Sequence, residues 1–439
     1  MRCVATGAVF CVLFSAMLLF SAVPGASAQS LEEELTRALQ AHPAIEAVRD
    51  DLDVADEAIG EAFSDYLPDL DILADGGYEV TDSPGRRRAN DPEFEAFRRR
   101  AGATLNQTLF DGLRREGGLR TARLNKTIAS LTVDDTVQQI LLRGAEAYHN
   151  VLRNSRLVEL SEANVQTIRE KLRLESERVQ RGGGLKVDEL LAQTRLQIAR
   201  EQLVAFQGDL IDSNSVYVDV FDRLPEVSAM QEPIPPLELL PRDMETAVDI
   251  ATGDRPSVLI NDRLVDVADE QRTIARSDWY PKVDLVGAAN WENDFDGTPG
   301  ERRDFSVILQ ISWKIFDGLA RPSRTAQAAA AYASSLDRLA FSKRQAAERA
   351  RITFNELLNA RDRVTLLEEA VDLARQVFAA RSRLREAGRE SAINLLDAEL
   401  ELFLARINLT NAVYDSRIAA YRVLEATGQL TPGNLRLRP

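Results

Sequence analysis

From Phe305 to Ile315 the chain alternates. Phe305, Val307, Leu309, Ile311, Trp313 and Ile315 take every second position, with Ser306, Gln310, Ser312 and Lys314 at most of the places between them. A period of two predicts a strand with one apolar face. Weaker versions of this texture run through Leu70 to Val80, Arg100 to Phe110 and Val283 to Asn293. Two pairs of strands are therefore expected. Each pair is joined by a polar loop, Thr81 to Phe97 with Arg86-Arg87-Arg88, and Asp294 to Arg303 with Gly297 and Gly300.

The pattern then changes. Proline is absent from Glu93 to Leu224 and from Ser323 to Thr431. Between Gly118 and Gly182 the only glycine is Gly144, and between Gly318 and Gly428 it is Gly388. With both helix breakers excluded, these stretches predict very long helices. Sixty-eight residues from Gly112 to Val179 would span about 100 Å. A compact core needs no helix of that length, whereas coiled-coil packing does. Each arm meets a break, Arg181-Gly182-Gly183-Gly184 or Glu386-Ala387-Gly388-Arg389. Beyond each, apolar residues resume at helical spacing: Val187, Leu190, Leu191, Ile198 and Leu203, then Ile393, Leu396, Leu400, Phe403 and Ile407. Each half thus contains a helical hairpin.

The halves repeat one another. Asp53-Val54-Ala55-Asp56-Glu57 recurs as Asp266-Val267-Ala268-Asp269-Glu270, and Phe110-Asp111-Gly112-Leu113 as Phe316-Asp317-Gly318-Leu319. The offset falls from 213 to 206 residues between these motifs, so the first copy carries a loop seven residues longer. Each copy reads helix, strand, loop, strand, long helix, turn, helix. The expected organisation is a signal peptide at 1–28, a first repeat at 29–232, a proline-rich linker at 233–244, a second repeat at 245–430 and a tail at 431–439.

The signal rests on Arg2, the apolar run Val4 to Val23 and the small-residue site Ala26-Ser27-Ala28, which would leave Gln29 first. No later stretch reaches about 18 consecutive apolar residues, so no transmembrane helix is expected. Strands of about ten residues with one apolar face suit an outer-membrane barrel. Four strands cannot close one, and an open edge in lipid leaves backbone groups unpaired. Either the sheet lies outside a membrane or several chains share a barrel: two would supply eight strands, three would supply twelve. Trp279, Tyr280, Trp291, Phe305, Trp313 and Phe316 near strand ends fit an interfacial belt.

Charge and chemistry narrow the field. The net charge of −15 argues against nucleic acid as a partner. Cys3 and Cys11 both fall in the signal, which leaves no disulfide, thiolate metal site, cysteine nucleophile or lipid-bearing cysteine at the cleavage point. His42 and His149 stand apart, without ligand-spaced companions, and read as surface or packed residues. Asp134-Asp135 and Glu368-Glu369 read as solvated helix faces. Gly182-Gly183-Gly184 follows a helix rather than a strand and lacks the lysine-serine or lysine-threonine ending of a phosphate loop. No catalytic, cofactor-binding or metal-binding grouping emerges, so an enzyme is not expected.

The order of motifs resembles the TolC family of outer-membrane efflux and secretion channels. The residues that carry the likeness are Ala41-His42-Pro43-Ala44-Ile45, Tyr66-Leu67-Pro68-Asp69-Leu70, Gln107-Thr108-Leu109-Phe110-Asp111-Gly112, Trp279-Tyr280-Pro281-Lys282-Val283, Lys314-Ile315-Phe316-Asp317-Gly318 and Asn394-Leu395-Leu396-Asp397-Ala398-Glu399. They run across the whole mature chain. The resemblance implies an α+β membrane protein: a homotrimer sharing a 12-stranded β-barrel in the outer membrane, continuous with a long periplasmic α-helical barrel. It implies a periplasmic adaptor and an inner-membrane transporter, an ABC ATPase for type I secretion, as partners. It also implies that Asp397, Asn394 and the first-copy Asp188 surround the pore constriction. For Asp188 the alternative is a carboxylate favouring a helix start. The adaptor-contacting tips would be Arg178, Arg181, Gly182, Gly183, Gly184, Arg385, Gly388 and Arg389, with Arg383 beside them. The absent lipid-anchor cysteine and a first hairpin like that of adhesin exporters favour type I protein secretion. Drug or small-molecule efflux, and a soluble periplasmic coiled-coil scaffold, are the other readings.

Overall fold

The computed structural model describes residues 29–88 and 93–437. The expected signal peptide lies outside these residues. The first copy contains α1 (Leu31–Ala41), α2 (Pro43–Ser64), β1 (Asp69–Thr81), the short α3 (Pro84–Arg88), β2 (Phe94–Phe110), α4 (Arg114–Gln180) and α5 (Lys186–Phe221). The second contains α6 (Met244–Asp254), α7 (Pro256–Ser277), β3 (Lys282–Phe295), β4 (Thr298–Ser312), α8 (Ala320–Glu386) and α9 (Ala392–Ala426). A 3-10 turn at Leu237–Leu239 interrupts the connection between them.

Local chemistry sets these boundaries. Pro43 and Pro256 occupy first-turn positions of α2 and α7, where the missing N–H has no intrahelical partner to lose. His42 closes α1 and caps α2, its ring accepting from the Ala44 amide at 3.2 Å. α4 and α8 are 67 residues each, or about 100 Å. Both begin after the same elbow: Gly112 and Leu113, then Gly318 and Leu319, all have positive φ. Asp111 and Asp317 each hold the arginine four residues on, Arg115 at 3.0 Å and Arg321 at 3.3 Å. A Cβ on Gly112 would stand 2.8 Å from the Ser277 carbonyl oxygen, so only glycine fits there.

α5 folds back along α4, and α9 along α8. α2 lies on the strand-proximal part of α4, where Asp56 meets Lys126 at 2.7 Å. α7 packs between α4 and α8. Its counterpart α2 lies against α4 with Val54 and Phe63 exposed. The main core sits part-way along the long helices. There α1, α4, α5, α9 and the chain end bury Leu35, Leu141, Tyr148, Val151, Tyr217, Leu424 and Leu430. The Tyr148 hydroxyl donates to the carbonyls of Gln29 or Gln231 (2.7 and 2.8 Å) and accepts from the Gln231 amide. His149 is fully buried among Tyr148, Tyr414 and Tyr421, bonded through Nδ1 to the Ala145 carbonyl. Burial lowers its pKa to about 4. It is a packed histidine, one of the alternatives its isolation allowed.

The sheet has the order β1-β2-β3-β4 and is antiparallel throughout. β2 and β3 join the two copies, and β1 and β4 are the edges. Two differences from the sequence reading concern the outer loops. β4 begins at Thr298 rather than Asp304 and ends at Ser312. The turn is tight because Asp294, Asp296 and Gly297 take positive φ, so the strand starts sooner. It stops before Trp313 because the chain turns into the elbow. In the other loop, Arg86, Arg87 and Arg88 form the end of α3, and β2 starts at Phe94.

Candidate functional site: helical tips and a two-faced sheet

Each hairpin tip is built by glycine. After α4, the Arg181 amide bonds the Glu177 carbonyl at 3.1 Å and the Gly183 amide bonds the Arg178 carbonyl at 3.0 Å, with Gly182 at φ 77°. A Cβ on Gly184 would stand 3.0 Å from Val179. After α8, Gly388 has φ 72° and the Arg389 amide bonds the Leu384 carbonyl at 2.9 Å. These bonds satisfy helix-end carbonyls through a left-handed residue.

The arginines divide. Arg181 is exposed, 3.6 Å from Glu177, and Arg389 is exposed without a side-chain partner among the described residues. Arg178 lies half exposed, 3.8 Å from Glu175. The Arg383 guanidinium donates to the Ala379 carbonyl at 3.3 Å. Arg385 is mostly covered and turns across to Glu175 of the first hairpin at 2.5 Å.

The other singled-out residues lie just above. Asp397 on α9 is 48% exposed and pairs with Arg195 on α5 at 2.7 Å. Asn394 is exposed: its amide is capped by Ser391 at 3.2 Å and its side chain donates to Glu390. That bond, with the Ser391 amide, holds the Glu390 carboxyl below its ordinary range. Asp188 is partly exposed in the first turn of α5, and its carboxylate bonds no described residue. Beside it Glu189 is held low by Lys186, with Ser176 also donating. Asp397 is thus brought against α5, while Asp188 and Asn394 occupy the two helix starts. Sequence reading missed Arg195, Glu175 and the pair Lys171–Glu399. These charges stand at ordinary helix-face spacing, and nothing in the chain order signals their partners.

The sheet separates its chemistry by face. Alternation and register put Leu70, Ile72, Leu105, Leu285, Phe305, Val307, Leu309 and Ile311 on one side. Ile72, Phe305, Leu309 and Ile311 are 78, 80, 59 and 65% exposed. The other side carries Asp75, Glu79, Arg98, Arg100, Asp284 and Glu292. Arg98 meets Asp75 at 3.2 Å and Glu79 at 3.4 Å, and Thr108 donates to Asp284 at 2.8 Å. An apolar face left bare opposite a charged, ion-paired face is the pattern of a strand between lipid and water.

The family profile described as Outer membrane efflux protein matches this chain twice, over residues 35–215 and 248–429. The chain belongs to the outer membrane efflux protein family. It is similar to outer membrane efflux protein BepC of Brucella suis biovar 1, with 24% identity covering 94% of this chain and 88% of that one. It is similar to alkaline protease secretion protein AprF of Pseudomonas aeruginosa, with 26% identity covering 72% and 68%. Outer membrane protein TolC of Vibrio cholerae is 24% identical, covering 92% of each. Among solved structures, the outer membrane protein VceC of Vibrio cholerae superposes with a TM-score of 0.79 at 17% identity, covering 91% of this chain and 96% of that one.

The TolC-family resemblance of the motifs is therefore correct. This outer membrane efflux protein is a passive channel and not an enzyme. Its place is the outer membrane, with a periplasmic extension. That location removes the soluble-scaffold reading. Its function is that of an efflux or secretion channel.

Proposed function

We propose that three copies of this chain close a 12-stranded barrel and a helical tube, forming the exit duct of a type I secretion system. The observation that carries the assembly is the incompleteness of the duplicated pattern. Among the described residues, α7 has one long helix, α4, on one flank and another, α8, on the other, whereas its equivalent α2 packs along α4 and not along α8. The β2–β3 pairing joins the copies within the chain, whereas β1 and β4 end as open edges. Repeating the internal contacts between chains places α2 of one protomer against α8 of the next, and β1 against β4. The ring so formed leaves no edge in lipid. The tips at Arg181 to Gly184 and Gly388 to Arg389, with Arg178, would dock a periplasmic adaptor, and Arg385 would hold the two hairpins together. Asp397, Asn394 and Asp188 would line the entrance. Light scattering on protein in mild detergent tests the assembly: three chains are expected, and a stable monomer refutes it.

Secretion of protein cargo, driven by an ABC ATPase, is favoured by the likeness to AprF, whose name is that of a secretion protein. Small-molecule efflux is the second reading, favoured by the longer match to a protein named for efflux. Deleting the gene separates them. Loss of a secreted protein with unchanged drug tolerance supports secretion, and the reverse supports efflux.

A further inference from the structure

One cation on the apolar face of the sheet has no counter-charge among the described residues. Alternation along β2 puts Arg99 on the side of Phe97, Ala101, Ala103 and Leu105, in a row with Gly76 of β1 and Asn293 of β3. Its side chain is exposed and makes no ion pair or hydrogen bond with any described residue. It lies over the Phe97 ring, 5.8 Å from the centroid. Because β2 is an inner strand of the sheet, these surroundings are complete within one chain. Within the four strands, the two carboxylates on this face are occupied. Glu95 accepts from the Tyr78 hydroxyl at 2.6 Å. Glu301 accepts from Trp291 at 2.7 Å and pairs with Arg303, whose side chain is 78% exposed.

The height of Arg99 defines its partner. Phe110, edge-on to Tyr280, marks the helix-side aromatic margin, and Arg99 is eleven residues further along the strand. That is about 36 Å of strand, or about 28 Å along the barrel axis at a tilt near 40°, against an apolar band about 25 Å tall. The guanidinium therefore stands at the outer margin of the band, where lipid phosphates begin. Arg303 is two strands and one row away, about 12 Å across the face. α3 adds exposed Arg87 and Arg88 at the same end, Arg87 with Asp82 at 3.4 Å. A planar guanidinium on an aromatic ring presents its donors as a fork that fits phosphate oxygens.

We infer that Arg99, with Arg303 beside it, is a docking site for the phosphorylated headgroup of an outer-leaflet lipid. The site rests on the barrel reading, since it requires this face to look outward.

The test uses trimers in phosphatidylcholine nanodiscs doped with lipid A or with dephosphorylated lipid A, scored by the lipid retained after detergent extraction. Wild-type trimers should keep about tenfold more of the phosphorylated form. Arg99→Gln should remove most of that preference and Arg99→Lys should keep part of it, because a point charge lacks the fork. Arg302→Gln, which removes a charge at the same end of the polar face, should change nothing. Equal retention of the two lipids by wild type, or an equal loss in Arg302→Gln, overturns the site. The wild-type comparison decides the matter even where Arg99→Gln fails to assemble. Light scattering is read first: a monomer there refutes the barrel, whereas a trimer without lipid preference refutes only the site.

Discussion

Part-way along its long helices the chain buries Leu141, Tyr148, Val151 and Leu424 to 1% exposure or less, whereas on the sheet it leaves Ile72, Phe305 and Ile311 at 78, 80 and 65%. Both regions are rich in large apolar residues. In the first, each is covered by the same chain, so a single protomer gains about 1.5–3 kcal/mol from each Leu or Val side chain it removes from water. In the second, nothing among the described residues covers the face. On the proposed barrel, its strands would gain from burial only when lipid and neighbouring protomers arrive. On the assembly proposed above, folding would be divided: the helical core can form within one chain, and the sheet would be completed only when protomers meet.

A change in the sheet should be decisive. Leu309→Pro removes a ladder donor from β4, opposite Leu285. Trimer formation should fail while far-ultraviolet circular dichroism keeps its helical signal. Normal trimers on a native gel would mean that β4 tolerates a gap, and the division drawn above would fall.

A change in the core should weaken without disassembling. Leu141→Ala should cost about 2–5 kcal/mol of unfolding free energy, the usual range for a buried leucine. Urea titration measures it, and a loss below 1 kcal/mol would mean that the core is not where single-chain stability resides.

Acid should act on the core in a defined window. His149 titrates near pH 4 in the folded chain because burial penalises its charged form, against about 6.5 when unfolded. Below pH 6.5 the unfolded chain takes up a proton that the folded chain refuses. Stability should therefore fall as pH drops from 6.5 towards 4, by up to about 3 kcal/mol. Replacing His149 by Phe should flatten that part of the pH profile, and an unchanged slope would assign it to carboxylates.

The smallest effect concerns the proposed entrance. Asp397→Asn should lower cation preference in planar-bilayer recordings and shift stability by less than about 1 kcal/mol, since its pair with Arg195 is half exposed. Unchanged selectivity would indicate that Arg195 already neutralises Asp397 and turn attention to the unpaired Asp188.

The long arms and the strands were legible because their signals are local. Proline and glycine are excluded from one, and apolar residues alternate in the other. The elbow was visible only as a repeated phrase; its left-handed leucines at 113 and 319 carry no sequence mark. The early start of β4 was missed because Pro299 and Gly300 read as loop, yet an edge strand tolerates a proline. The links Glu175–Arg385, Lys171–Glu399 and Asp397–Arg195 were not legible at all. Each joins residues some 200 positions apart, and every helix face offers similar charges. For the candidate site, the sequence supplied Asp397 and Arg385 but not Arg195 and Glu175, which they meet.

The equal length of α4 and α8 has a consequence for how this gene can change. The strand-and-loop segments of the two copies differ by seven residues, yet both arms contain 67 residues and α2 and α7 both contain 22. One extra heptad in a single arm would displace its tip by about 10 Å and leave the two hairpin tips at different heights. A viable change of length must therefore occur in both copies at once. The amino acids have drifted apart, while the number of residues in the arms has been kept.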